Sequence, residues 1–331
     1  VNTQRSESGF SIIELVVATA VLMIVSAIVT NALMQMTNAQ TTIWNRTEMH
    51  SGVRGATELL QQEVGQAGRV AFPGTVTLAA NVTPSGTCNP GSPLTNAQEV
   101  GVNTSAPGGN AVEGMWAVPG PPASYILVTT LDGNAQESFK VAEIDEVSQT
   151  ITACFNNAHA AGTVLVPMGG FATGIIPDVN HVNPSTATVL KLYGDINGDG
   201  EMVYVEYTCD FASGNLYRNV MPFDASSKPA VTAAQILLSN VIPNPGGTPC
   251  FTYQTSTMTV QGTLFTFVLD VAITLTVQTQ QRDPVTNEFQ TETKALLNVS
   301  PRNVFNAWSL ASIGYTDRIQ STPASVTSLL P

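Results

Sequence analysis

From Phe10 to Val29 the chain reads FSIIELVVATAVLMIVSAIV, an apolar run whose only charge is Glu14. Twenty residues wound as an α-helix cover about 30 Å, the hydrocarbon thickness of a bilayer. The segment ahead of it, VNTQRSESG, is polar, with Arg5 as its one cation. A membrane helix is the first reading and a cleaved secretory signal the second. No small-residue cleavage site with a change to loop character follows the run, which argues against the signal. The pattern instead continues as a polar helix. Proline is absent from Asn31 to Gly68, and apolar residues recur at helical spacing: Leu33, Met36, Ile43, Met49, Val53, Ala56, Leu60, Val64 and Ala67. Gln40, Arg46, Glu48, Arg54, Glu58 and Gln62 fill other positions. This predicts an amphipathic helix continuing the span, a rod of roughly 85–90 Å from Phe10 to Gly68. Gly52 and Gly55 are sites of bending or of close packing. Gly68 and Pro73-Gly74 supply the stop.

Beyond the rod the period changes. Residues 73–123 are rich in Pro, Gly, Ser, Thr and Asn and predict long surface loops with little regular structure. Ser124–Thr130 and Ser138–Ile144, separated by Asp132-Gly133, predict a hairpin. Further strands are expected at Gln149–Phe155, Thr163–Val166, Thr186–Tyr193, Met202–Cys209, Gln235–Ile242, Thr263–Gln280 and Phe289–Val299. Within Thr263–Gln280, Val271, Ile273, Leu275 and Val277 alternate with Ala272, Thr274, Thr276 and Gln278, the pattern of a half-buried strand. One long helix followed by runs of strands implies an α+β fold, with an antiparallel sheet packed on the helix.

Composition narrows the function. The 331 residues carry 12 Lys and Arg against 24 Asp and Glu, a net charge of −12. So acidic a balance excludes a nucleic-acid binder and a polybasic membrane-surface protein, both of which need cations to meet phosphates. Residues 10–72 hold net −1, and the remaining −11 lies in the head. Glu14 is the exception within the apolar run. A carboxylate at mid-bilayer costs roughly 2.5–3.5 kcal/mol and needs a partner or a purpose. Nothing from Phe10 to Val29 can pair with it as a cation. A cut between Gly9 and Phe10 would create one, the new α-amino group of Phe10, on the same chain or on a neighbour.

Gly9-Phe10-Ser11-Ile12-Ile13-Glu14-Leu15 resembles the prepilin peptidase site of type IV pilins and type II secretion pseudopilins. The Gly, the Phe and the Glu at the fifth mature position match; Ser11 and Ile12 stand where Thr and Leu are usual. The resemblance implies a pilin-like fold, cleavage after Gly9, methylation of the Phe10 amine and a role for Glu14 in assembly. It divides the chain into a leader (1–9), a transmembrane half-helix (10–29), an amphipathic half-helix (30–72) and a β-rich head (73–331). Val1 in place of Met suggests a non-ATG start codon translated literally. The stretch from Ser51 to Arg69 resembles the helix end of PilW-type minor pilins and of J-type minor pseudopilins. Pro301-Arg302-Asn303 and Asn215-Leu216-Tyr217-Arg218 resemble PilW-type heads.

The head holds two further pieces of chemistry. Cys88, Cys154, Cys209 and Cys250 are even in number and widely spaced. In an exported head they are expected to form two disulfides, with three connectivities open and four buried thiols as the alternative. Cys88–Cys154 with Cys209–Cys250 is favoured because sequential closure keeps the halves of the head separate. Asp195, Asn197, Asp199, Gly200 and Glu206 fit the twelve-residue calcium-loop template, with the Glu201 carbonyl as a further ligand. The same residues also make an ordinary hairpin turn, and the flanks read as strands. No other cofactor is indicated. His50 reads as a solvated helix residue, and His159 and His181 as loop residues. The cluster Glu143, Asp145, Glu146 reads as a solvated turn. No nucleophile elbow, phosphate loop or zinc motif occurs, so no enzyme is predicted.

Three functions follow from these observations. The first is a minor pilin that initiates, caps or joins a type IV pilus, or the equivalent pseudopilin of a secretion system. The second is a non-polymerising membrane-tethered adhesin or binding module, and the third an anchored enzyme. For the first, the expected partners are other pilins, prepilin peptidase, an inner-membrane assembly platform and membrane lipid, with no nucleic acid. The expected location is the inner membrane with the head in the periplasm, then the pilus or pseudopilus and the cell surface.

Overall fold

The computed structural model describes residues 9, 11–89, 91–106, 109–120, 123–260 and 262–331. Helix α1 runs unbroken through 55 residues, Ile12–Gln66, and a mostly antiparallel β-rich head follows. The architecture is the α+β layout that the change of period predicts. The chain forms two compact units. One comprises residues up to Ser51 together with Gln278–Glu292; the other comprises Gly52–Val277 and Thr293–Pro331.

In the larger unit the apolar stripe of α1 is buried: Val53, Ala56, Leu60, Val64 and Ala67 are each no more than 2% exposed. Gly52 is a site of close packing, since a Cβ there would lie 3.2 Å from Leu238 Cδ1; at Gly55 it would meet nothing. Past Gln66, Gly68 takes φ +81° and donates its N–H to the Tyr193 carbonyl at 2.9 Å. Asn303 Nδ2 donates to the Gln66 carbonyl at 3.0 Å, satisfying an end group that the helix leaves open. A side chain at position 174 would place its Cβ 2.2 Å from Gly68 Cα, so the two backbones touch there.

Three larger sheets and two two-stranded ones build this unit. Val76–Leu78, Gln98–Thr104, Thr150–Ala153, Ser138–Asp145, Leu127–Leu131 and Val164–Pro167 form a closed barrel in that order. Ile126, Val128, Val141, Ile151 and Phe155 are fully buried, and they share one core cluster with Trp116, Phe171 and Tyr204. A second sheet orders Val189–Gly194, Val203–Asp210, Asn215–Pro222 and Ile236–Ser239. In the third, Thr263–Gln278 pairs with Phe251–Val260, Val241–Ile242 and Thr291–Val299. A short helix, α2 (Arg302–Ser312), buries Val304, Ala307 and Ala311.

The structure corrects the strand map in four places. Residues 73–123 are mainly loop, as the composition predicts, but they also supply two barrel strands, Val76–Leu78 and Gln98–Thr104, the second of which carries polar residues on its less buried positions. Gln235–Ile242 is not one strand, because Asn240 takes φ +59° and splits it between two sheets. Asn215–Pro222 and Phe251–Val260 are strands beyond those the sequence predicts.

In the smaller unit, one face of α1 meets the connection after the long hairpin strand. Thr42 Oγ1 donates to Asp283 Oδ2 at 2.9 Å, Arg46 donates to Gln290, and His50 pairs with Glu292. Thr42, Arg46 and His50 are spaced four residues apart, so they lie on one helical face. His50 is exposed, as expected of a solvated helix residue, with its ring beside the Glu292 carboxylate.

Candidate functional site

The candidate site is the start of α1. Ser11 precedes the first helical residue, Ile12. Its Oγ accepts the Ile13 N–H at 3.4 Å, and Glu14 Oε2 accepts the Ser11 N–H at 3.2 Å. Ser-x-x-Glu bonded reciprocally in this way is a capping box, and it satisfies donors that the first helical turn leaves open. The carboxylate also sits where the positive end of the helix dipole favours it. The sequence signal for this role is the Ser11-x-x-Glu14 spacing itself, which the search for a cationic partner passes over. Phe10, the residue expected to supply that cation, lies outside the described residues, as do residues 1–8 of the leader. Gly9 is exposed, outside the helix.

From Ile13 to Leu33 the apolar side chains of the helix are bare. Ile13, Leu15, Leu22, Met23, Ile24, Ile28 and Leu33 are each more than half exposed. α1 is long and apolar enough to cross a membrane. An apolar helix with nothing covering it, begun by one carboxylate, can bury itself in lipid or among like helices.

Residues 4–30 match the family model described as a prokaryotic N-terminal methylation motif. The motif marks a type IV pilin-like or pseudopilin precursor. Such precursors are structural, are processed by prepilin peptidase and assemble with other pilins, and the apolar helix fits membrane anchoring before assembly. Comparison with curated proteins and with solved structures gives no match.

Cys88 is joined to Cys154 and Cys209 to Cys250, with Cα atoms 5.6 and 6.6 Å apart. The first ties a loop to the end of a barrel strand; the second ties the second sheet to the third. Two disulfides and an apolar N-terminal helix fit a pilin or pseudopilin precursor.

Asp195, Asn197 and Asp199 share one turn. Asp195 is fully buried: its Oδ1 accepts the Gly198 N–H at 2.8 Å, and its Oδ2 faces Arg69 Nε at 3.3 Å. Asp199 Oδ1 accepts the Glu201 N–H at 3.0 Å. Glu206 does not join them. It sits within Val203–Asp210, where its carboxylate accepts from Lys228 Nζ at 2.7 Å and from the Tyr204 hydroxyl at 3.1 Å. Among the described residues no group of three or more His, Cys, Asp or Glu is arranged to hold a metal ion.

Two charged clusters had no sequence signal, because their members are distant in the chain. Glu63, on α1, accepts from Tyr207 Oη at 2.5 Å and from Arg218 Nε at 3.1 and 3.2 Å. Burial and the Glu63 carboxylate hold the Tyr207 phenol far above its ordinary range, so it stays a neutral donor. The second cluster surrounds His159. His181 is partly exposed, with Nδ1 beside the Val182 carbonyl at 2.7 Å. Asp145 Oδ1 accepts from Val147 and Ser148 N–H groups, and these bonds hold its carboxyl below the usual range.

Proposed function

We propose that the chain is a minor pilin of PilW type, which enters a type IV pilus through α1 after cleavage between Gly9 and Phe10. The carrying observation is a methylation motif on the uncovered apolar start of α1, up to Val29, where the one charge is Glu14. In the precursor, Glu14 caps its own helix through Ser11. After cleavage the Phe10 amine, on the same chain or on a neighbour, competes for that carboxylate with the strength of a charge-assisted bond. The helices then form the filament core and the acidic head faces outward.

The minor and PilW-type assignment rests on size and on the short resemblances in the head. Two of these bear on the rod: Arg218 bonds Glu63, and Asn303 bonds the last carbonyls of the helix. A head bonded to the last turns of α1 suits a subunit that initiates or caps a filament.

The test is Glu14→Ala in the producing cell, with cleavage, surface pili and secretion each scored. The reading expects normal cleavage and lost or reduced piliation. Intact piliation with lost secretion would move the chain to a secretion pseudopilus. Intact piliation and secretion with normal cleavage would leave a tethered, non-polymerising module.

A further inference from the structure

Three loops meet at one end of the barrel. They are residues 79–89 with 91–97, 132–137 and 154–163, which follow or precede the barrel strands. The Cys88–Cys154 disulfide joins two of them. His159 joins all three. Its backbone pairs both ways with Val82, N–H to carbonyl, at 2.8 and 2.9 Å. Its side chain, with no exposure, lies between two carboxylates. Nδ1 meets Asp132, and Nε2 meets Glu137 Oε1 at 2.7 Å. Glu137 in turn accepts the Asn156 and Asn157 N–H groups at 2.8 and 2.9 Å. Across the three loops only Asp132, Glu137 and His159 titrate, the two cysteines being bonded to each other.

Neutral imidazole has one N–H and one lone pair. It can donate to one carboxylate and must then turn the lone pair toward the other, a repulsive contact in a buried site. Only the imidazolium donates on both sides, and three charges then sum to −1 instead of two uncompensated anions. We propose that His159, Asp132 and Glu137 form a proton-held latch: a protonated imidazole donating to both carboxylates keeps the 132–137 and 154–163 loops closed, and loss of that proton releases them. The electrostatics agree. Burial works against the charge on the ring, the two carboxylates outweigh it, and the imidazole is held above its ordinary value near 6.5. A group with a raised folded pKa contributes stability that is complete below the unfolded value and lost as pH rises through the folded one. The latch is therefore shut in mildly acid surroundings and loosens on the alkaline side. It does not depend on the assembly reading, because every member lies in the head.

The test uses the full chain in phospholipid nanodiscs, labelled with 15N-histidine. The chain has three histidines, and His159→Gln assigns the signal. Expected at pH 6.5 is a His159 ring protonated on both nitrogens, with Asp132→Asn and Glu137→Gln each moving its titration to lower pH. Amide exchange, corrected for intrinsic rate, should show loop 154–163 opening about tenfold more per pH unit above about 6.5 until the folded value is passed. In His159→Gln the opening should not vary with pH. A singly protonated ring at pH 6.5, or loop protection in the unsubstituted chain that stays flat from pH 6 to 9, overturns the latch. Should the variants fail to fold, selective titration of the unsubstituted chain still decides it.

Discussion

Glu63 is the buried carboxylate through which α1 grips the second sheet, and replacing it with Ala strands two donors at once. The Tyr207 hydroxyl is fully buried, and an unpaired buried hydroxyl costs about 1–3 kcal/mol. Arg218 loses its counter-ion, and breaking a buried pair from one side costs about 3–5 kcal/mol. The Arg218 side chain is 26% exposed, so water takes over part of its solvation and the lower end applies. The two costs overlap, and Glu63→Ala should destabilise the head by about 3–4 kcal/mol. At about 2–4 °C per kcal/mol for a unit of this size, Tm falls by about 10 °C. The assay is thermal unfolding of the full chain in detergent, followed by circular dichroism. Removing every partner together separates pairing from packing. Glu63→Leu with Arg218→Met and Tyr207→Phe should return to within about 1 kcal/mol of the parent, since apolar groups of similar volume replace such clusters at little cost. A loss below about 1 kcal/mol for Glu63→Ala, or a triple variant as unstable as the single, would refute the reasoning.

Gly55→Ala should raise stability by about 1 kcal/mol, because a Cβ there meets nothing and the position is mid-helix. Gly174→Ala should abolish soluble head or lower Tm by more than Glu63→Ala does, because its Cβ would fall 2.2 Å from Gly68 Cα; melting curves of both variants check this. Millimolar calcium should leave Tm unchanged and give no heat on titration, since Arg69 occupies the charged side of Asp195 and Glu206 is paired with Lys228. A saturable heat would show that the turn opens to take a cation. Reducing the disulfides, which span 66 and 41 residues, should cost about 2–4 kcal/mol each, read as a shift in urea midpoint with and without reductant.

The sequence made the rod and its motif legible because both are local. An apolar run, a carboxylate at a fixed offset and a stripe from Val53 to Ala67 need no knowledge of the rest of the chain. Val271 to Val277 announced their strand for the same reason, alternation on a half-buried surface. What stayed hidden was set by distant partners. Gln98–Thr104 reads as loop because its exposed face is polar, yet Thr150–Ala153 supplies its ladder. Val241–Ile242 leaves its predicted strand because one asparagine takes a left-handed turn. The calcium template matched by spacing alone, but strand pairing carries Glu206 away from the turn that holds Asp195. Glu63 with Arg218, and His159 with Asp132, had no signal at all, since their members lie 155 and 27 residues apart.

The central claim is that the chain is a precursor cut between Gly9 and Phe10 and then assembled. Its most direct test is the intact mass and N-terminal sequence of the protein taken from the membrane of a cell with active prepilin peptidase. The account predicts a chain that lacks residues 1–9 and begins at Phe10 with a methylated amine. A membrane-extracted protein that still carries residues 1–9, or that begins elsewhere, would contradict it.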